Sequence, residues 1–202
     1  MTDNEKHLNA LLAGDTIRHV EYGDGKTRDI TVTEPDEFTR MQAIDMADAG
    51  DNKMDLASAF ELCMEKVITK PRMSYDFLDK ELPDNLRDGH FQATNKAGKK
   101  IMVHMHIGSY RTAVSILTNS QKANGGSNLS GTLEDLADNI LCDSKKAVVG
   151  TKFFEKGALG DGLGIIAIRK GLEFLSNALS YKGNLAVLTE SFRFLTTSVK
   201  LK

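Results

Sequence analysis

Asn95-Lys96-Ala97-Gly98-Lys99-Lys100-Ile101-Met102-Val103-His104-Met105-His106-Ile107-Gly108-Ser109-Tyr110 is the stretch on which the fold turns. Ile101, Val103, Met105 and Ile107 recur at every second position, the period of a strand with one buried face. Phe91 to Thr94 stand on the other side of the turn Asn95-Lys96-Ala97-Gly98, so the segment reads as a hairpin. Gly108-Ser109 then opens a helix to about Lys122, with Tyr110, Ala113, Ile116 and Leu117 inward. Asn124-Gly125-Gly126-Ser127 breaks it, and Asn128 is placed to cap a further helix over 129–142, with Leu129, Leu133, Leu136 and Ile140 as its apolar set. Phe153 and Phe154 follow.

The same order of features stands upstream. After a polar arm over 1–15, with Leu8, Leu11 and Leu12 on one face, Ile17, Val20 and Tyr22 lead into Gly23-Asp24-Gly25, and Ile30 and Val32 lead out. Asp-Gly between β-prone runs predicts a tight reversal. Glu34-Pro35-Asp36-Glu37 predicts a helix start, with acids against the positive end of the dipole. That helix runs to about Ala49, with Phe38, Met41 and Ile44 or Asp45 at the i, i+3, i+6/7 spacing of one face, until Gly50-Asp51-Asn52. Asp55 caps a second helix over 56–69, lined by Leu56, Phe60, Met64 and Val67 and ended by Pro71. An aromatic-rich piece with Tyr75, Phe77 and Leu78 comes next.

The halves overlay at a shift of 72 or 73 residues, which sets Leu56 on Leu129, Glu61 on Glu134 and Phe38 on Tyr110. The expected fold class is therefore α+β: two pseudo-repeated units, 16–80 and 90–156, each a β-hairpin followed by two helices, plus a C-terminal helical region over 157–202. In that region a helix is predicted from Leu163 to Tyr181 with Ile165, Ile168, Leu172, Leu175 and Leu179 inward. The final stretch, with Leu185, Val187, Leu188, Phe192, Phe194, Leu195 and Val199, is too apolar to hang free and must pack on the body or on another chain.

Composition excludes some functions. A formal charge of −2 supplies no global field for nucleic acid. The polar start Met1-Thr2-Asp3-Asn4-Glu5-Lys6 predicts no secretory leader, and the longest greasy stretch is broken by Arg169, Lys170 and Glu173, so no membrane span is expected. Cys63 and Cys142 form no CxxC and read as buried or half-buried free thiols of a cytoplasmic protein.

Candidate chemistry is sparse. Gly157-Ala158-Leu159-Gly160-Asp161-Gly162-Leu163-Gly164 precedes a helix and could cradle a phosphate, but it lacks a Walker lysine, and Asp161 repels an anion; a hinge or linker is the better reading. His104 and His106 at i, i+2 share one strand face and could grip a metal with His90 or Asp143, yet the opposite face of Val103, Met105 and Ile107 makes them the solvated side of a half-buried strand. Asp76, Asp79, Asp84 and Asp88 are scattered, and Lys96, Lys99 and Lys100 lack interleaved aromatics. No catalytic residue, metal or cofactor is assigned, and an enzyme is not expected.

Three stretches carry a resemblance. Met41-Gln42-Ala43-Ile44-Asp45-Met46-Ala47 resembles the first helix of the tail assembly chaperones of long-tailed bacteriophages, particularly those of Gram-positive hosts. Ala59-Phe60-Glu61-Leu62-Cys63-Met64-Glu65-Lys66-Val67-Ile68-Thr69-Lys70-Pro71 is similar to that family's second helix running into its V-I-x-x-P motif, here Val67, Ile68 and Pro71, and Tyr75-Asp76-Phe77-Leu78-Asp79 to the aromatic-acid segment after it. The resemblance implies a non-catalytic role in the cytoplasm of the host bacterium. The partners would be the long helical tape measure protein, held until the tube polymerises, and the tail tube protein; neither nucleic acid nor a membrane is implied, and self-association stays open. Met64, Met73, Tyr75 and Phe77, which flank the family-like segment, are the candidate partner-binding side chains. Competing readings are a structural component of the tail or neck and, behind it, a nucleotide- or metal-binding enzyme.

Overall fold

The computed structural model describes residues 15–47, 55–121 and 125–197. Residues 1–14 of the expected polar arm, the stop at Gly50-Asp51-Asn52, Asn124 and Val199 lie outside the described residues. The protein is α+β, with two three-stranded antiparallel sheets and, among the described residues, eight α-helices.

Strands β1 (Asp15–Tyr22) and β2 (Lys26–Thr33) pair in register from Asp15 opposite Thr33 to Tyr22 opposite Lys26. Gly23, Asp24 and Gly25 all take positive φ, which glycine and aspartate tolerate and a branched residue does not. Val20, Ile30 and Val32 point into the core. Helix α1 (Glu37–Ala47) follows, started by the Asp36 carboxylate, which accepts from the Thr39 N–H at 2.8 Å. Helix α2 (Leu56–Lys66) is capped as expected, Asp55 accepting from the Ser58 N–H at 3.1 Å.

Helix α2 ends three residues earlier than the sequence predicts. Ile68–Lys70 forms a strand, β3, antiparallel to β2, and Pro71 follows a strand instead of a helix. Val67-Ile68-Thr69 is a β-branched run, and its backbone is better satisfied across the sheet: the Thr33 N–H donates to the Val67 carbonyl at 2.9 Å. The aromatic-rich piece is helix α3 (Tyr75–Glu81), followed by the single turn α4 (Asp84–Arg87).

The second sheet pairs β4 (Asp88–Thr94) with β5 (Lys100–His106). Helices α5 (Tyr110–Asn119) and α6 (Leu129–Asn139) come next. The predicted helix over 129–142 again stops short, and Leu141–Cys142 adds to β5 as strand β6; the His106 N–H donates to the Ile140 carbonyl at 2.9 Å. Asn128 begins α6, but its side chain makes no cap and donates instead to the Asn119 carbonyl at 3.2 Å. Leu129, read as inward, is exposed.

The C-terminal helices pack on the body of the molecule. Helix α7 (Gly164–Leu179) lies against α5 and α6, and helix α8 (Asn184–Thr197) lies against α1, α2 and β1. One buried apolar cluster runs through both sheets and both helices, so the divisions 16–80, 90–156 and 157–202 share a core. Ile165, expected inward, is exposed; α7 buries Ala167, Ile168, Gly171, Leu175, Ala178 and Leu179. The rotation brings Gly171 against Leu136 so closely that a Cβ there would meet Leu136 at 2.8 Å. Tyr110 is fully buried, and its hydroxyl donates to the Leu179 carbonyl at 2.7 Å. Among the described residues no helix is long and apolar enough to cross a membrane.

An ion pair ties α3 to the turn between α7 and α8. Lys182 Nζ lies 3.0 Å from Glu81 Oε1, and the Asn184 amide donates to Glu81 Oε2 at 3.1 Å. Burial alone would raise the Glu81 carboxyl; the Lys182 and Asn184 hydrogen bonds outweigh it and hold the group below the usual range. A depressed folded-state pKa stabilises the fold above the unfolded value of 4.5, and that contribution is lost as pH falls through the folded value. Glu81→Gln should therefore cost about 1 kcal/mol at neutral pH. In denaturant titrations between about pH 7 and pH 3, its deficit against wild type should shrink towards the acid end. A deficit that stays constant would show that the carboxylate's charge contributes nothing.

Candidate functional site

The four side chains expected to meet a partner are not one surface. Met64, Met73 and Tyr75 are buried in the core and offer nothing to a partner; only Phe77, 37 % exposed, reaches solvent. The cause is the start of α3. The Ser74 hydroxyl accepts from the Phe77 N–H at 3.1 Å, and the helix it begins turns Tyr75 and Leu78 inward at i, i+3 and Phe77 outward. The Tyr75 hydroxyl donates to the Ala57 carbonyl at 2.7 Å, and its burial pushes the phenol pKa up. Val67 and Ile68 are buried on the β3 side of α2, and Pro71 is half-buried.

The other candidates have local structural partners. His104 and His106 are half-buried on the outer face of β5 while Val103 and Met105 are buried, as the alternation predicts. His104 stands opposite His90, with ring centroids 6.3 Å apart. His106 Nδ1 lies 2.7 Å from Asp88 Oδ1, and Lys146 Nζ lies 3.0 Å from the same carboxylate, which these bonds hold below its ordinary pKa. Asp143 accepts from the Lys145 and Ala147 N–H groups of its own loop. Among the described residues no group of three His, Cys, Asp or Glu is placed to hold a metal ion. Cys63 and Cys142 are free and buried, and burial pushes the Cys63 thiol up to about 12.

The glycine cluster works as a clasp. The Lys96 N–H donates to the Asp161 carbonyl at 2.9 Å, and the Asn95 amide donates to the Leu159 carbonyl at 3.0 Å. The loop thus fastens the β4–β5 turn, while Asp161 accepts from the Gly157 N–H at 2.8 Å. Gly160 lets the chain pass Phe153, whose ring would lie 2.3 Å from an added Cβ. With Asp161 turned onto its own loop, the N–H groups of Gly157, Ala158, Gly160, Asp161 and Leu163 have protein partners.

The surface feature that stands out is α1. Phe38 is 77 % exposed, Met41 55 % and Ile44 42 %. The stripe at i, i+3, i+6 faces solvent, and α1 packs on α2 and α8 through Thr39, Arg40 and Ala43. Arg40 turns inward with its guanidinium 2.5 Å from Glu34 Oε1. Three large apolar side chains on one outward helical face are more than the scattered exposure of an ordinary surface. The sequence period located this stripe but not its direction, because a buried arginine on the opposite face was not foreseeable without its Glu34 partner. Two grooves lie elsewhere: one of about 770 Å³ between β1 and α8, with His19, Tyr22, Leu185, Thr189 and Arg193 on its walls, and a polar one of about 570 Å³ between α5 and α6.

No protein-family model, no curated protein and no solved structure matches the chain.

Proposed function

We propose that the chain is a non-catalytic tail assembly chaperone of a long-tailed bacteriophage. It acts in the host cytoplasm and holds the tape measure protein on the outer face of α1 until tail tube protein polymerises around it. The observation that carries this reading is the exposed stripe Phe38, Met41 and Ile44, two of whose members lie in the segment 41–47 that resembles the first helix of that family. An outward apolar helix face is what shields an amphipathic helical client from aggregation.

We also infer that the two halves descend from one unit, at a shift of 73 residues. Helix α2 and helix α6 begin and end 73 residues apart, after caps of nearly equal dihedrals: Asp55 at φ −98, ψ 63 and Asn128 at φ −102, ψ 65. The bond from Thr33 to Val67 recurs as that from His106 to Ile140, and the pair Val32–Ile68 as Met105–Leu141. At this shift the counterpart of Phe38 is Arg111, not Tyr110. Arg111 meets α2, with Nε 3.3 Å from Glu61 Oε2 and an N–H donated to the Ser58 hydroxyl at 3.0 Å. Helix α5 thus uses this face within the molecule, against the first unit. Helix α1 stands at the edge of the helical layer and keeps it open.

Co-expression tests the function. The tape measure protein should stay soluble and copurify with this chain, while finished virions should lack it. A soluble tape measure protein without this chain, or tens of copies of the chain in purified particles, would instead favour the structural tail component.

A further inference from the structure

We infer that the outer face of α1 takes a basic amphipathic helix, one whose apolar stripe is flanked by lysines or arginines. This rests on the reading of α1 as the partner-binding face and adds the chemistry of the partner. Glu37, Met41 and Asp45 follow one another at i, i+4, i+8 along the helix, beside Phe38 and Ile44. Glu37 and Asp45 are exposed and make no ion pair among the described residues. At the N-terminal end Glu34 is taken up by Arg40 and Asp36 by Thr39, so the acidic character of the outer face rests on Glu37 and Asp45. The single basic residue of α1, Arg40, is buried on the opposite face against Glu34. The exposed face of α1 is therefore apolar at its centre, has an acid at each end, Glu37 and Asp45, and carries no outward cation among the described residues of the helix.

The α6 edge of a second copy does not supply the complement. The opposite edge of the helical layer is α6, Leu-Ser-Gly-Thr-Leu-Glu-Asp-Leu-Ala-Asp-Asn over 129–139, which carries three acids and no base. Glu134 and Asp138 are exposed there, beside the polar groove with Asn119, Gln121 and Ser130. Docking α1 of one molecule on α6 of the next would set acid against acid and Phe38 against amides. A helix with cations beside its apolar stripe meets both halves of the α1 surface at once, with the cations steering approach and the stripe holding register.

The test uses the full chain and three fluorescein-labelled synthetic helices that share one leucine stripe and are flanked by lysine, glutamine or glutamate. Fluorescence anisotropy at about 50 mM salt should show the lysine-flanked helix binding about tenfold more tightly than the glutamate-flanked one, and at about 500 mM salt the gap should close. The double variant Glu37→Lys, Asp45→Lys should reverse the order, and Met41→Asp should weaken all three. Equal or tighter binding of the glutamate-flanked helix overturns the proposal. So does binding of none of them, or a wild-type dimer in light scattering that Met41→Asp dissociates. If the tape measure protein copurifies while the charge series is flat, the chaperone reading stands and this inference falls. If the lysine-flanked helix wins while the tape measure protein is ignored, the surface chemistry stands and the chaperone reading falls.

Discussion

Met64→Asp should leave the chain without a stable fold. Met64 is buried in α2 within the common apolar cluster. Removing such a side chain costs about 2–5 kcal/mol, and burying a carboxylate in its place adds several more unless it protonates. A domain has roughly 5–15 kcal/mol to lose, so the variant should show no cooperative thermal transition by circular dichroism. Phe77→Asp is the control. With Phe77 on the outer side of α3, that change should stay within about 0.5 kcal/mol of wild type. A Met64→Asp protein that melts like wild type would show that the α2 core is not packed as described.

Leu188→Asp should have a comparable effect and reveal how far the core is shared. Leu188 is fully buried on α8, the helix that covers α1, α2 and β1. Helix α7, which covers α5 and α6, joins α8 through the 3-10 turn Tyr181–Gly183. Because one cluster includes Leu188 and the second sheet alike, protection against amide exchange should be lost together in β2 and β5. If β5 stays protected while β2 exchanges freely, the chain is two independent domains with a tail divided between them.

Much of the architecture could be read before the structure, and the failures have physical causes. The hairpins were legible because Val20, Ile30, Val32, Val103 and Met105 follow the two-residue period and flank glycine turns. The ends of α2 and α6 were not. Val67-Ile68 and Ile140-Leu141 continue a helical stripe equally well, and only the open edges of β2 and β5 decide that they pair. The inward face of α7 was misread at Ile165 because the close approach of Gly171 to Leu136 fixes its rotation. For the candidate site, three of the four chosen side chains, Met64, Met73 and Tyr75, are core, and Phe77 alone reaches solvent. The exposed stripe sits on α1, where Phe38, Met41 and Ile44 share a face whose direction the period could not give. Burial of Arg40 against Glu34 sets that direction.

The central claim, that the outer face of α1 holds the tape measure protein, is tested most directly by its affinity for three purified forms of the chain. Wild type and Phe77→Asp should bind a soluble tape measure segment equally. Phe38→Asp combined with Met41→Asp should bind about 30-fold or more weakly, since truncations at the centre of a contact cost about 2 kcal/mol or more. Its melting curve should match wild type, because both side chains are exposed. Undiminished binding by a folded Phe38→Asp, Met41→Asp protein would contradict the account.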